Sequence, residues 1–199
     1  TNQSITTTSG NSVTVSVPTT VQGSYVYSLV SVQESSSTNC VNTAAGSATV
    51  TVNQLATATI AGSTTVCQNS SSPNITFTGN GGTAPYTFTF KINGGADQTI
   101  TTTSGNSVSV SAPTNSAGTF VYTLTSVKES SITSCINAAS GTATVVVNPL
   151  PSATVSGSTT ICQSSTGPLI TFTGRGGTEP HTFIYSIKGA ANQTVKTTS

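Results

Sequence analysis

The sequence predicts an all-β chain of repeated sandwich domains on three observations: apolar residues alternate with Thr and Ser, no window carries capped helical periodicity, and the chain repeats itself after 95 positions. The alternation is clearest in Ile75-Thr76-Phe77-Thr78, Thr87-Phe88-Thr89-Phe90-Lys91-Ile92, Val108-Ser109-Val110 and Ala143-Thr144-Val145-Val146-Val147. A strand points successive side chains to opposite faces, so each run buries one face and leaves the other to water. Ser and Thr account for 74 of the 199 residues, a composition that can leave a chain solvated and disordered. Here Val, Ile, Leu and Phe still reach about a fifth of the chain and fall in these runs, which supplies a core. No apolar run approaches the length that spans a bilayer.

Turn residues divide the repeat into short strands over 57–61, 63–68, 74–79, 86–92, 98–103, 107–111, 119–127 and 142–148. The separators are Asn80-Gly81-Gly82, Asn93-Gly94-Gly95, Ser104-Gly105-Asn106, and the stretches 113–118 and 129–141, rich in the residues that tolerate tight turns. About seven strands in roughly 95 residues is the count of an immunoglobulin-like sandwich, and two packed sheets suit that length better than a barrel. The inward-facing set is Ile75, Phe77, Phe88, Phe90, Ile92, Ile100, Val108, Val110, Phe120, Tyr122, Leu124, Val145 and Val147.

Shifted by 95 positions, the chain matches itself without a gap at about three residues in five. Ser9-Gly10-Asn11-Ser12-Val13 returns as Ser104-Gly105-Asn106-Ser107-Val108, and Gly62-Ser63-Thr64-Thr65 as Gly157-Ser158-Thr159-Thr160. The seam between units falls at the linker Asn53-Gln54-Leu55 and at its copy Asn148-Pro149-Leu150-Pro151, where prolines stiffen the chain and cannot join a ladder. On that division residues 56–150 are one complete unit, 1–55 the back part of a preceding one and 151–199 the front part of a following one. With no initiating Met and no signal segment in view, the expectation is a window on a longer periodic chain.

Each unit owns two cysteines, Cys67 and Cys162 at one position of the repeat and Cys40 and Cys135 at the other. The first expectation is a bridge from Cys67 to Cys135 inside the complete unit, with Cys40 and Cys162 paired outside the window. A Cys40–Cys67 bridge across the seam and four free thiols are the alternatives. No close Cys or His partner gives zinc-type spacing, so no metal or other cofactor is expected. A disulfide of either kind would mark an oxidising, extracellular compartment.

Chemistry-bearing residues are sparse: Glu34, Asp97, Glu129, Glu179 and His181 lie apart, which argues against an enzyme. The five Lys and Arg form no patch, so nucleic acid is not an expected partner. Neither linker holds an acid, so calcium-stiffened seams are not expected either. The candidate ligand loops are 80–85 and 129–141, with Gly81, Gly82, Tyr86 and Glu129 as the residues that would meet a surface glycan. The plainer alternative is that the Gly pair makes a hairpin turn and the aromatics are core. His181 takes the place of Tyr86 in the next copy, so that position accepts change within the chain itself.

The run Gly81-Gly82-Thr83-Ala84-Pro85-Tyr86-Thr87-Phe88, the segment Thr65-Val66-Cys67-Gln68 and the ending Gly141 to Pro151 resemble tandem repeats of giant cell-surface proteins of Bacteroidetes. Those repeats are immunoglobulin-like or PKD-like, and the family includes gliding-motility-type adhesins exported by the type IX secretion system. The Trp-Asp signature of stricter PKD domains is missing, which favours the immunoglobulin-like label. The resemblance implies a secreted cell-surface protein whose partners are neighbouring repeats, with no membrane insertion in this segment. The function expected is the non-enzymatic shaft of an extracellular fibre. Glycan-binding modules acting by avidity, and a pilin-like subunit completed by strand exchange, are the rivals.

Overall fold

The computed structural model describes residues 2–197, which form sixteen strands. The first segment holds β1 (Gly23–Ser28), β2 (Ser31–Gln33), β3 (Val41–Thr43) and β4 (Ser47–Val52). The middle unit holds β5 (Thr57–Ala61), β6 (Thr64–Cys67), β7 (Asn74–Asn80), β8 (Thr87–Ile92), β9 (Gln98–Thr101), β10 (Ser107–Ser111), β11 (Gly118–Lys128) and β12 (Ile136–Asn148). The last segment holds β13 (Ser152–Ser156), β14 (Thr171–Arg175), β15 (Thr182–Tyr185) and β16 (Gln193–Lys196).

The middle unit is a sandwich of two sheets, one ordered β10-β7-β5 and the other β6-β12-β11-β8-β9. Successive strands β5 and β6 belong to different sheets, and Gly62 between them makes the crossing with φ +116, in contact range of the Asn74 carbonyl. After the switch β6 runs parallel to β12, with Thr64 beside Val145 and Cys67 beside Asn148, while every other pairing is antiparallel. This division of eight strands, with a first strand split between sheets, is the immunoglobulin-like arrangement the turn spacing predicts.

The core lies between the sheets. Phe77 of β7 faces Phe88 and Phe90 of β8, with ring centroids 5.7 and 4.8 Å away. Of the expected inward set, Ile75, Phe77, Phe88, Phe90, Tyr122, Leu124, Val145 and Val147 are fully buried. Ile92, Ile100, Val108, Val110 and Phe120 are half-buried, packed at the margin of the same cluster. Tyr86, Val127, Ala56, Ala112 and Ala143 complete the core.

One boundary differs from expectation. The stretch 129–141, read as a single connection, is a loop only over 129–135, because β12 begins at Ile136. The ladder to β11 continues through Ser126↔Ala138 and Lys128↔Ile136 beyond an irregularity at Leu124/Ser126. At Gly141 a side chain would lie 2.9 Å from the Ile60 methyl of β5. Close approach of the other sheet and a φ of +153, not a turn, select Gly141.

The flanking segments repeat parts of this sandwich in the same register. Gly23↔Val52 in the β1–β4 pair matches Gly118↔Val147, and Ser152↔Arg175 in the β13–β14 pair matches Thr57↔Asn80. Thr182↔Lys196 in the β15–β16 pair likewise matches Thr87↔Thr101. Phe172 stacks on Phe183 at 5.7 Å as Phe77 stacks on Phe88. Their inner faces are open over much of their area, however, Phe183 at 8% being the buried exception: Leu29 is 56% exposed where Leu124 is 2%, and Ile170 is 53% exposed where Ile75 is fully buried.

Candidate functional site

The two ends of the middle unit are where the candidate residues gather. At the end that receives the first linker, the loop 129–135 folds around the Glu129 carboxylate. Its oxygens accept from the Ser131 hydroxyl, the Ser131 N–H at 2.9 Å, the Cys135 N–H at 2.9 Å and the Thr83 N–H at 3.2 Å. The backbone adds Ser130 N–H to the Thr83 carbonyl and Glu129 N–H to the Cys135 carbonyl. Glu129 is 1% exposed and points into its own loop, so it does not meet a ligand as expected. A carboxylate satisfied by several N–H and O–H donors closes a loop that would otherwise leave those donors unpaired. In the first segment Glu34 repeats part of the arrangement, accepting from Ser36 at 2.6 Å and Thr38 at 3.3 Å.

The hydrogen bond from Ser131, helped by those from the backbone and opposed by burial, holds the Glu129 carboxyl at about 2, below its ordinary value of 4.5. Because the folded value is the lower one, the loop gains stability from the ionised form above about 4.5 and loses it as pH falls towards about 2. The protection factors of the amides in residues 129–135, exchange relative to the intrinsic rate at each pH, are therefore expected to fall as pH drops across that window, and Glu129→Gln to flatten the dependence. Identical acid profiles in the two chains would show that another group controls the loop.

The Gly pair and the aromatic also have structural roles. Gly81 and Gly82 take φ +71 and +65 in the turn between β7 and β8. The Gln54 side chain lies against Gly81 and the Glu129 stem against Gly82, at 3.1 Å from where a Cβ would stand. Tyr86 is 5% exposed and donates its hydroxyl to the Gly81 carbonyl at 2.7 Å. Its ring lies over Gly79, where a Cβ would meet it at 2.7 Å. This corrects the reading of Tyr86 as a glycan platform, since its face and its hydroxyl are already used. His181 reproduces both features on Gly174 and the Gly176 carbonyl, which explains how the repeat accepts either ring.

The cysteines overturn the expected pairing. None of the four is bonded to another within this chain. Cys67 sits beside Asn148, the last residue of β12, and Cys135 immediately precedes its first residue, Ile136. Those twelve strand steps at ~3.4 Å put the two thiols about 40 Å apart, far beyond the reach of a disulfide. A long loop gains from closure only where its ends lie within reach of each other. The Cys40–Cys67 alternative fails for the same reason, because Cys40 precedes β3 at the far end of the first segment's hairpin.

The linkers are irregular, with Asn53, Gln54 and Leu55 following β4, and Pro149, Leu150 and Pro151 following Asn148. Asn53 is tied down, its amide donating to the Thr133 hydroxyl at 3.0 Å and reaching that of Ser131 at 3.4 Å. At the second linker an open cleft of about 430 Å³ is lined by Cys67, Asn148, Pro149, Pro151, Gly177, Thr178 and other residues of the last segment. Among the described residues, no three His, Cys, Asp or Glu side chains are grouped to hold a metal ion, and no helix is long and apolar enough to cross a membrane. No protein-family model matches the chain, and no curated protein matches it.

Proposed function

We propose that this chain is a length of the structural shaft of an extracellular fibre or cell-surface adhesin, a covalent array of immunoglobulin-like units without catalytic activity. The observation that carries this reading is the recurrence of the same strand registers in both flanking segments, with inner faces left open where the middle unit covers them. Leu29, Val32 and Val50 of the first segment stand exposed, while the matching Leu124, Val127 and Val145 are buried beneath the opposite sheet. Each flanking segment thus carries the half of a sandwich whose complement is a neighbouring stretch of the same repeat. The candidate ligand residues serve turns and loop closure, which weighs against a binding module. The resemblance to Bacteroidetes adhesin repeats is consistent with such a shaft and extends the proposal to export by the type IX route.

The test is the mass of the native chain, denatured and reduced. A mass of hundreds of kDa, with peptides of this repeat in several variants, is expected. A mass near 20 kDa would replace the covalent shaft with the second reading, a subunit whose open faces at 1–55 and 151–199 complete one another between copies.

A further inference from the structure

We propose that successive units are stapled across every seam by a disulfide between the Cys67 position of one unit and the Cys135 position of the next. The inference rests on the tandem-array reading and adds to it a specific covalent crosslink. Two seams support it independently.

At the first seam, Asn53 donates to the Thr133 hydroxyl at 3.0 Å, and that hydroxyl is 3.3 Å from the Cys135 sulfur. Asn53 holds in the first segment the place that Asn148 holds in the middle unit, where Cys67 is its register partner and the Gln68 N–H bonds the Asn148 carbonyl at 2.8 Å. In a complete preceding unit the Cys67 position therefore lies one strand spacing, about 4.8 Å, from Asn53 and on the seam that holds Cys135.

At the second seam, Cys67 lines the cleft beside Gly177 and Thr178. These are the copies of Gly82 and Thr83, and in the middle unit Thr83 is bonded to Glu129 and Ser130 of the loop that ends at Cys135. A complete following unit would fold its own copy of that loop onto Thr178, against Cys67. One geometry read from either side brings the same two cysteine positions together. It also accounts for the absence of a bridge among these four cysteines: Cys67 and Cys162 face forward and Cys40 and Cys135 face backward, so no pair is complete among them.

The thiols are accessible, Cys67 exposed and Cys135 half-exposed. A low-molecular-weight disulfide such as oxidised glutathione is the oxidant. One cysteine thiolate attacks it and releases one glutathione thiolate, and the second cysteine then attacks the mixed disulfide and releases the other. Two thiols thus lose two protons and two electrons to one disulfide, which leaves as two molecules of reduced glutathione.

Peptide mapping of the native chain under non-reducing conditions tests the proposal, because the sequences around Cys67 and Cys162 differ. The expected result is a Cys67 peptide joined to a Cys135-type peptide of another unit. A Cys67 peptide joined to the Cys135 peptide itself, or alkylated as a free thiol, overturns it even if the native mass establishes the array. A second measurement extends residues 1–199 by another copy of 105–199, which keeps the phase and completes the last unit. Refolded in a glutathione buffer, this chain is expected to show four titratable thiols of six, with Cys67 linked to the appended copy of Cys135. Six free thiols in a chain whose strand content by circular dichroism matches the array overturn the proposal, and Cys67→Ser is expected to abolish the link and leave five.

Discussion

Phe77→Ala is expected to remove about 3–5 kcal/mol from the stability of the middle unit. The ring is fully buried on β7 and meets Phe88 and Phe90 of the opposite sheet, so truncation opens a void where both sheets touch. A domain of this size has about 5–15 kcal/mol in total, so the loss is a large share of what keeps it folded. Urea unfolding, followed by amide exchange in β7 and β8, measures it. A change below about 1 kcal/mol would mean that the sheets close over the gap and that the aromatic cluster is not the centre of the sandwich.

Gly62→Val is expected to cost about 2–5 kcal/mol, through a backbone conformation that a β-branched residue resists and a side chain driven into its neighbour. Gly62 has φ +116, and a Cβ there would collide with the Asn74 carbonyl and lie 3.1 Å from the Ile75 Cα. Neither is the mobile end of a side chain, so relief requires moving β7 or giving up the crossing between β5 and β6. The copy Gly157 has φ +113 against the Leu169 carbonyl, so the constraint belongs to the repeat. The comparison chain is Gly94→Val, at a turn glycine with φ +70 and open space around it. If the two variants unfold at the same urea concentration, backbone strain alone explains both and the contact with Asn74 adds nothing.

Much of the sandwich was legible because period-two alternation records burial directly. The strand around Ile75 and Phe77 and the strand around Phe88 and Phe90 fall within a residue or so of their expected limits. The early part of β12 was not, since Ala138, Ala139, Ser140 and Gly141 look like turn chemistry, and only the approach of Ile60 to Gly141 shows that the chain there is strand packed on the other sheet. From sequence alone Glu129 is a loop charge that a ligand could reach. A signal for its inward role was present in the shared pattern Glu34-Ser35-Ser36 and Glu129-Ser130-Ser131, in which each carboxylate takes a hydroxyl two residues on. The cysteine pairing failed because loop length is a property of the chain, whereas bridging depends on which end of a strand each thiol occupies. The direction of β12 decides that, and no count of intervening residues contains it.

The parallel run of β6 beside β12 has a mechanical consequence. Tension applied along the chain reaches the middle unit through Ala56 at one end and leaves through Asn148 at the other. It drags β6 and β12 in opposite directions along a common axis. The four register pairs from Thr64↔Val145 to Cys67↔Asn148 are then loaded in shear and must give way together. Two terminal strands pulled apart from the same end would instead unzip one pair at a time. Stretched lengthwise, a unit of this topology resists up to a threshold and then ruptures abruptly, so it is stiff along the line from Ala56 to Asn148.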